Sequence, residues 1–222
     1  MTLDQYVARF IDGYLFGDLH TMAAIRVQDD KQEFGAVGYP MVLTVLAGIE
    51  LLGTLTSAAP FNRRQGEDRF CEFWRDHLYP AHPDRQALAV LIYQMVRNGL
   101  AHTYMTKPKF VVTRGHRGDH FTQTPDGQIV IDALALHDEL VSAYKQRVKP
   151  LLAGAGRSVI ETRFKEMRAW HAAEYVRFSS VFATVPMGRV PAKRGSLIAP
   201  DSPALPPAHS TQYTSSFPEE DS

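Results

Sequence analysis

An arginine, an asparagine and a histidine lie within six residues of one another, in the segment Arg97-Asn98-Gly99-Leu100-Ala101-His102. A histidine titrates near neutral pH, so it can act as a general acid or a general base. An arginine stays charged, and its planar fork fits a phosphate or a carboxylate with two hydrogen bonds. These residue types at this spacing point to acid–base chemistry beside an anionic group.

The residues before this segment, 88–93, are apolar on every side, which predicts a helix buried from more than one direction. Charge in such surroundings is costly unless it is paired or put to use. In a straight helix Arg97 and His102 diverge by about 140°, at about 100° per residue. A bend at Gly99, or a second copy of the helix across a two-fold axis, would bring an arginine and a histidine together. The structural alternative pairs Arg97 with a carboxylate such as Glu50 and makes His102 a satisfied core histidine.

The segment resembles the Arg-x(4–6)-His motif of the HEPN superfamily, and Asn98 matches the polar residue that many members carry directly after the arginine. An upstream apolar helix that bears a carboxylate, Glu50 within residues 48–53, is similar as well. The resemblance implies a metal-independent endoribonuclease without a cofactor, in which Arg97, Asn98 and His102 are catalytic and Glu50 is a supporting carboxylate. It also implies a homodimer, in which two motif helices meet and two Arg/His sets line one cleft.

Cleavage of RNA at such a cleft would use the 2′-hydroxyl of the substrate as the nucleophile. The reaction needs a base for the hydroxyl proton, an acid for the leaving 5′-oxygen and positive charge beside the crowded phosphorane. His102 suits the first two tasks and Arg97 the third, while Asn98 would orient the phosphate or the histidine. We expect the two copies of the dimer to meet at the helix that holds residues 88–104, so that Leu100→Glu splits the dimer.

The segment that follows the motif is locally basic and is predicted to contact the RNA backbone. The positions concerned are Tyr104, Lys107, Lys109, Arg114 and Arg117. The alternative for Tyr104 is packing at an interface, and for the cations it is a solvated hairpin face. A metal site built from His116, Asp119 and His120 is a further alternative, but it lacks a full set of ligands.

The elements that must position these residues are mostly helices, because apolar residues recur at helical spacing along most of residues 1–182. Residues 107–133 are instead β-branched and aromatic, and Pro125-Asp126-Gly127 is a strong turn signal. We predict three antiparallel strands there, at 109–113, 121–124 and 128–132. The predicted fold is therefore mainly α: a HEPN-like helical bundle over residues 1–182 with a small antiparallel β-meander inserted at about 107–133.

The C-terminal segment and the apolar stretch 41–59 give further expectations about order, membrane insertion and localisation. Half of the 14 prolines lie in residues 183–222, which predicts a disordered Pro-rich tail. The apolar stretch 41–59 is long enough to test as a membrane span, but Glu50 lies in its middle, so a buried helix is predicted. There is no secretory signal and one cysteine, and we expect a cytoplasmic protein without a membrane partner.

Composition excludes one class of nucleic-acid binder, since basic and acidic residues number 24 each and a histone-like protein would be strongly basic. Two functions remain beside a metal-dependent hydrolase that would use the hairpin histidines and lacks a ligand set. The first is the ribonuclease acting on RNA, as the toxin of a toxin–antitoxin or defence system whose partner is an antitoxin or a nucleotidyltransferase. The alternative is a non-catalytic HEPN-type helical dimer that binds a nucleotide, RNA or a protein.

Overall fold

The computed structural model of the chain describes residues 1–25 and 37–184. The chain divides into two compact units, Met1–Arg177 and Phe178–Ser222. The second unit is described only as far as Thr184, where a helix ends. From position 185 onward, the tail that the sequence predicts to be Pro-rich and disordered lies outside the described residues.

Helices form most of the described chain, which confirms the mainly α prediction. The α-helices are α1 (Leu3–Tyr6), α2 (Phe16–Ala24), α3 (Gly38–Thr56), α4 (Gly66–Phe73), α5 (Pro83–Gln86), α6 (Ala89–Leu91), α7 (Asn98–Thr103), α8 (Ala133–Ala143), α9 (Lys149–Ala153) and α10 (Arg157–Thr184). Wider π-helical turns join several of them, at Val7–Leu15, Trp74–Leu78, Ile92–Arg97 and Tyr144–Val148. Short 3₁₀ turns occupy Arg63–Gln65 and Arg117–Asp119.

Helix α3 forms the centre of the core, and α4 and α8 pack along it. Its most buried apolar side chains, at most 2 % exposed, are Met41, Val42, Val45, Leu46, Ile49, Leu52 and Leu55. Gly53 admits the backbone of α4, since a Cβ there would lie 2.4 Å from the Arg69 carbonyl oxygen. By length and composition α3 would pass as a membrane span, and its packing confirms the predicted buried helix.

The predicted antiparallel meander is wrong, because the two strands run parallel. β1 (Phe110–Thr113) pairs with β2 (Ile129–Asp132) in the register Phe110↔Ile129 to Thr113↔Asp132. The segment 121–124, predicted as the middle strand, makes one antiparallel bridge, Gln123↔Ile129. The expected turn at 125–127 is present, with the Gly127 N–H donating to the Thr124 carbonyl at 2.8 Å.

Two local features accompany the parallel pairing of β1 with β2. Phe121 has a φ of +61° and Lys109 a φ of +80°, so the backbone turns where regular strands were expected to begin. His120 is buried, and its Nδ1 accepts the Asp132 N–H at 2.9 Å. This hydrogen bond holds the segment between β1 and β2 against the Asp132 end of β2. As a result β2, and not residues 121–124, lies beside β1.

Asp132 joins the small sheet to the bundle. One carboxylate oxygen accepts the Ala135 N–H at 2.9 Å and begins α8 as its N-cap. The other accepts the His116 N–H at 2.8 Å and the Thr113 hydroxyl at 3.2 Å. The inserted segment is thereby fixed to the helix that packs on α3.

Candidate functional site

The helical segment that carries the Arg/Asn/His set begins at α6, continues through the π turn Ile92–Arg97 and ends with α7. We call it the motif helix. Its inward side chains are buried within the single chain: Ala89, Ile92, Val96 and Leu100. The opposite side is open, with Val90 and Leu91 about half exposed and Ala101 and His102 also exposed. The helix is thus buried on one side, and not from more than one direction as the sequence predicted.

Arg97 is fixed in place by three neighbours. Its Nη2 lies 2.8 Å from Oε2 of Glu50 on α3, and its Nη1 donates to the Asn98 side-chain oxygen at 3.1 Å. Its guanidinium carbon lies 5.4 Å from the centre of the Tyr93 ring. The Arg97 and Glu50 side chains are each about one quarter exposed. The pairing with Glu50 that the sequence raised is present, and Arg97 is both paired and reachable from solvent.

Further polar groups extend this arrangement, which we call the Arg97 cluster: Glu50, Glu67, Tyr93, Gln94, Arg97 and Asn98. The Asn98 amide nitrogen donates to Gln94 at 3.4 Å, and Gln94 donates in turn to Glu67 on α4. Burial, and next the charge of Glu50, raise the pKa of the Tyr93 hydroxyl. Asn98 is therefore held on both sides, by Arg97 and by Gln94.

Gly66, the first residue of α4, leaves the space that Glu50 occupies. A Cβ at this position would lie 2.7 Å from Glu50 Oε1 and 3.0 Å from the Tyr93 hydroxyl oxygen. Two helices and a glycine therefore confine the carboxylate that pairs with Arg97. The sequence predicted Glu50 as a supporting carboxylate but gave no signal for Gly66.

His102 lies in the last turn of α7 and is exposed to solvent. Its side chain makes no hydrogen bond or ion pair with other parts of the described chain. Arg97 faces α3 while His102 faces outward, as the helical angle between them requires. A single copy of the chain therefore presents the two groups on different sides of one helix.

The chain after α7 folds back against the motif helix. The Lys107 N–H donates to the Met95 carbonyl at 3.0 Å, and a Cβ on Gly99 would lie 2.5 Å from the Met105 carbonyl oxygen. Tyr104 ends α7 in the left-handed region, with a φ of +55°, and its exposed ring meets Tyr39 edge-on at 5.9 Å. Gly99 thus permits a close crossing and does not bend the helix to unite Arg97 with His102.

Two of the cations predicted to contact RNA are engaged by the protein. Arg114 donates to the Met22 and Ala23 carbonyls at 3.2 and 3.1 Å and so closes the end of α2. Arg117 forms an ion pair with Asp138. Lys107 and Lys109 are exposed. Of the predicted backbone contacts, Tyr104 and Lys107 lie closest along the chain to His102.

A second polar cluster, which the sequence did not predict, surrounds Glu139 of α8. The Tyr79 hydroxyl donates to Glu139, and the Arg85 Nη1 donates to the other carboxylate oxygen at 2.7 Å. His120 Nδ1 accepts a backbone N–H, so Nε2 carries the proton and donates to Glu139 at 3.2 Å. These residues come from distant parts of the chain and have no common spacing that would reveal the cluster.

Both His120 nitrogens are thus used in hydrogen bonds, which leaves neither for the metal site considered with His116 and Asp119. Within residues 1–25 and 37–184, no three His, Cys, Asp or Glu side chains form a group that could hold a metal ion.

Stability in acid should depend on Glu139. Burial raises the pKa of this carboxyl, but hydrogen bonds from His120 and Tyr79 and the charge of Arg85 outweigh burial and leave the pKa below its ordinary value of 4.5. The unfolded chain therefore takes up this proton first as the pH falls, and stability present above pH 4.5 is lost as the pH drops through the lowered pKa. Urea unfolding between pH 6 and pH 3 should show this loss.

The Glu139→Gln variant should be less stable at pH 6 and lose less stability between pH 6 and pH 3. Asp84→Asn, at an exposed carboxylate on α5, is the control and should behave like the parent. An equal acid loss in the parent and in Glu139→Gln would contradict this assignment.

Comparisons of this chain with protein-family models, with curated proteins and with solved structures give no match.

Proposed function

We propose that the chain is a metal-independent endoribonuclease that cleaves RNA at a site composed of two copies of the motif helix. One observation carries the proposal. The Arg97 fork is held by Glu50 and Asn98 at the surface of the bundle, while the side chain of His102 on the same helix is exposed and makes no hydrogen bond within the described chain. The resemblance of this segment to the HEPN motif supports the choice of RNA.

The two residues divide the chemistry between them. His102 in its neutral form takes the proton of the 2′-hydroxyl, whose oxygen then attacks the adjacent phosphorus. Arg97 offsets the charge that builds on the phosphorane oxygens. A protonated His102 of the second copy gives its proton to the 5′-oxygen as the P–O bond breaks. The products are a 2′,3′-cyclic phosphate and a 5′-hydroxyl.

The proposed homodimer would use the open side of the motif helix. Val90 and Leu91 are 50 % and 47 % exposed there, and a two-fold axis through this side would cover them while bringing a second His102 into the cleft. Leu100, which the sequence placed near the axis, is 2 % exposed within the single chain. Leu100→Glu would therefore place a charge in the core of the single chain, so this substitution does not test the dimer separately from folding.

A second candidate is the non-catalytic binding module, and the Arg97–Glu50 pair favours it. A guanidinium that is already neutralised by a carboxylate at 2.8 Å contributes less charge to a phosphate than an unpaired one. In this candidate Arg97 stabilises the contact between α3 and the motif helix, and the open side of the helix binds a nucleotide, RNA or a protein.

Purified protein incubated with end-labelled single-stranded RNA in EDTA distinguishes the two candidates. The ribonuclease should cut the RNA, leave 2′,3′-cyclic phosphate ends and spare DNA of the same sequence, since DNA has no 2′-hydroxyl. Tight binding without cutting would support the binding module. Cutting that requires an added divalent metal would contradict the proposed chemistry. A role as a toxin or defence effector in the cytoplasm, opposed by an antitoxin or paired with a nucleotidyltransferase, belongs to the same proposal.

A further inference from the structure

An open groove lies between the loop that precedes α4 and helix α10. It has a volume of about 600 Å³, within the usual range for sites that hold small molecules. Its lining includes Pro60, Phe61, Asn62, Arg64, Gln65 and Trp170. The Phe61 and Trp170 rings are 6.0 Å apart between centroids and tilted by 47°. The groove is therefore lined by two aromatic rings, an arginine and two side-chain amides.

The loop that carries Phe61 is held firmly. The Phe61 N–H donates to the Glu166 carboxylate of α10 at 2.8 Å. The guanidinium carbon of Arg69 lies 4.7 Å from the Phe61 ring centroid, and Arg69 Nη2 donates to the Pro60 carbonyl at 3.1 Å. Arg163 donates to the Ser57 and Ala58 carbonyls at the start of the loop. The ring is thus positioned before any ligand arrives, which lowers the entropy cost of binding.

The groove adjoins the Arg97 cluster. Gln65, which lines it, is followed directly by Gly66, where a Cβ would lie 2.7 Å from Glu50 Oε1. The other oxygen of that carboxylate is 2.8 Å from Arg97. One backbone residue and one side chain therefore link the groove to the guanidinium.

We propose that this groove is a stacking subsite for an unpaired base of single-stranded RNA. The base lies against Phe61 and Trp170, and Arg64 faces the phosphate that follows it. Bases of a duplex are already stacked on one another and cannot enter, which makes single strands the preferred substrate class. The choice of RNA rests on the proposed function, whereas the stacking itself requires only an unpaired base.

Tryptophan fluorescence tests this subsite, because the chain has two tryptophans in different settings. Trp74 is fully buried, while Trp170 is half-buried at the groove. A 2′-O-methyl oligouridylate, which cannot be cleaved because its nucleophile is blocked, should quench the emission of the parent protein in a saturable way. The Trp170→Phe variant should bind the oligomer, as measured by anisotropy of a label on it, without a change in the emission that remains from Trp74.

Matched variants isolate the ring of Phe61. Phe61→Leu keeps an apolar side chain but removes the aromatic face, and it should weaken binding about 5- to 150-fold, the range for loss of one base–aromatic contact. Phe61→Tyr should bind like the parent. Phe10→Leu, at another partly exposed ring outside the groove lining, is the control and should leave binding unchanged.

Three results would overturn the subsite: no quenching by the oligomer, equal affinity in Phe61→Leu with unaltered thermal unfolding, or equal binding of a duplex of the same length. The outcome of the quenching experiment is independent of the outcome of the cleavage experiment. Quenching without cleavage of ordinary RNA would leave the subsite in place and reject the ribonuclease. Cleavage without quenching would reject the subsite and leave the ribonuclease in place.

Discussion

We expect the His102→Ala variant to cleave RNA about 10²- to 10⁴-fold more slowly than the parent, the range for loss of one positioned acid–base group. Its thermal unfolding should stay within about 0.5 kcal/mol of the parent, because the side chain is exposed and makes no hydrogen bond within the described chain. Cleavage rates under single-turnover conditions, with unfolding followed by circular dichroism, measure both effects.

His82→Ala is the matched control, since His82 is also exposed but lies outside the motif helix, and it should retain full activity. If His102→Ala cuts RNA as fast as the parent, the catalytic role is wrong and the binding module takes its place.

The role of Arg97 needs a different set of variants, because Arg97 also pairs with Glu50. Arg97→Ala alone would leave a partly buried carboxylate unpaired, which destabilises the fold as well as the site. The comparison should therefore be made in a Glu50→Gln background, where no unpaired charge remains. Arg97→Ala in that background should still lose most of the activity, and Arg97→Lys should recover only part of it, since lysine keeps the charge but not the fork. Full activity of the double variant would show that Arg97 acts only as a structural partner of Glu50.

The Gly53→Ala substitution should be among the most destabilising single changes of one methyl group in this chain. The new Cβ would lie 2.4 Å from the Arg69 carbonyl oxygen and 3.1 Å from the Phe73 Cβ, so α3 and α4 would have to separate. Overpacking of this kind costs about 3 kcal/mol at the upper end of its usual range. For a chain of this size that lowers the melting temperature by roughly 6–12 °C.

Gly17→Ala is the matched control for this prediction. A Cβ at Gly17, within α2, meets no atom within 4 Å. The substitution should raise stability by about 0.5–1 kcal/mol, because alanine favours the helix over the unfolded chain. A Gly53→Ala protein that melts at the parent temperature would show that the two helices are free to adjust.

The sequence predicts the helices well because their signal is local and repeated, as in the buried residues of α3. It also predicts the Arg97–Glu50 pair as one of two alternatives, since a half-buried guanidinium needs a carboxylate on a neighbouring helix. The parallel pairing of β1 and β2 depends instead on Phe121 and Lys109 in left-handed conformations, which their residue types do not favour.

Long-range contacts explain the remaining differences. The Glu139 cluster unites Tyr79, Arg85, His120 and Glu139 across four segments, so no spacing along the chain reveals it. Leu100 is apolar and lies on a helix whose other side is open, and only the packed bundle shows which of the two sides it occupies. The composition of the motif helix could not separate its core face from its exposed face.

Glu50, the partner of Arg97, and His102 lie in parts of the molecule that we expect to differ in local stability. Glu50 lies on α3, whose amide protons we expect to exchange with solvent only when the bundle opens, because most side chains of this helix are buried. His102 lies one residue before the end of a six-residue helix that stops at an exposed tyrosine, where amides open by fraying. We therefore expect warming to loosen His102 at the helix end before it opens the contact between Arg97 and Glu50.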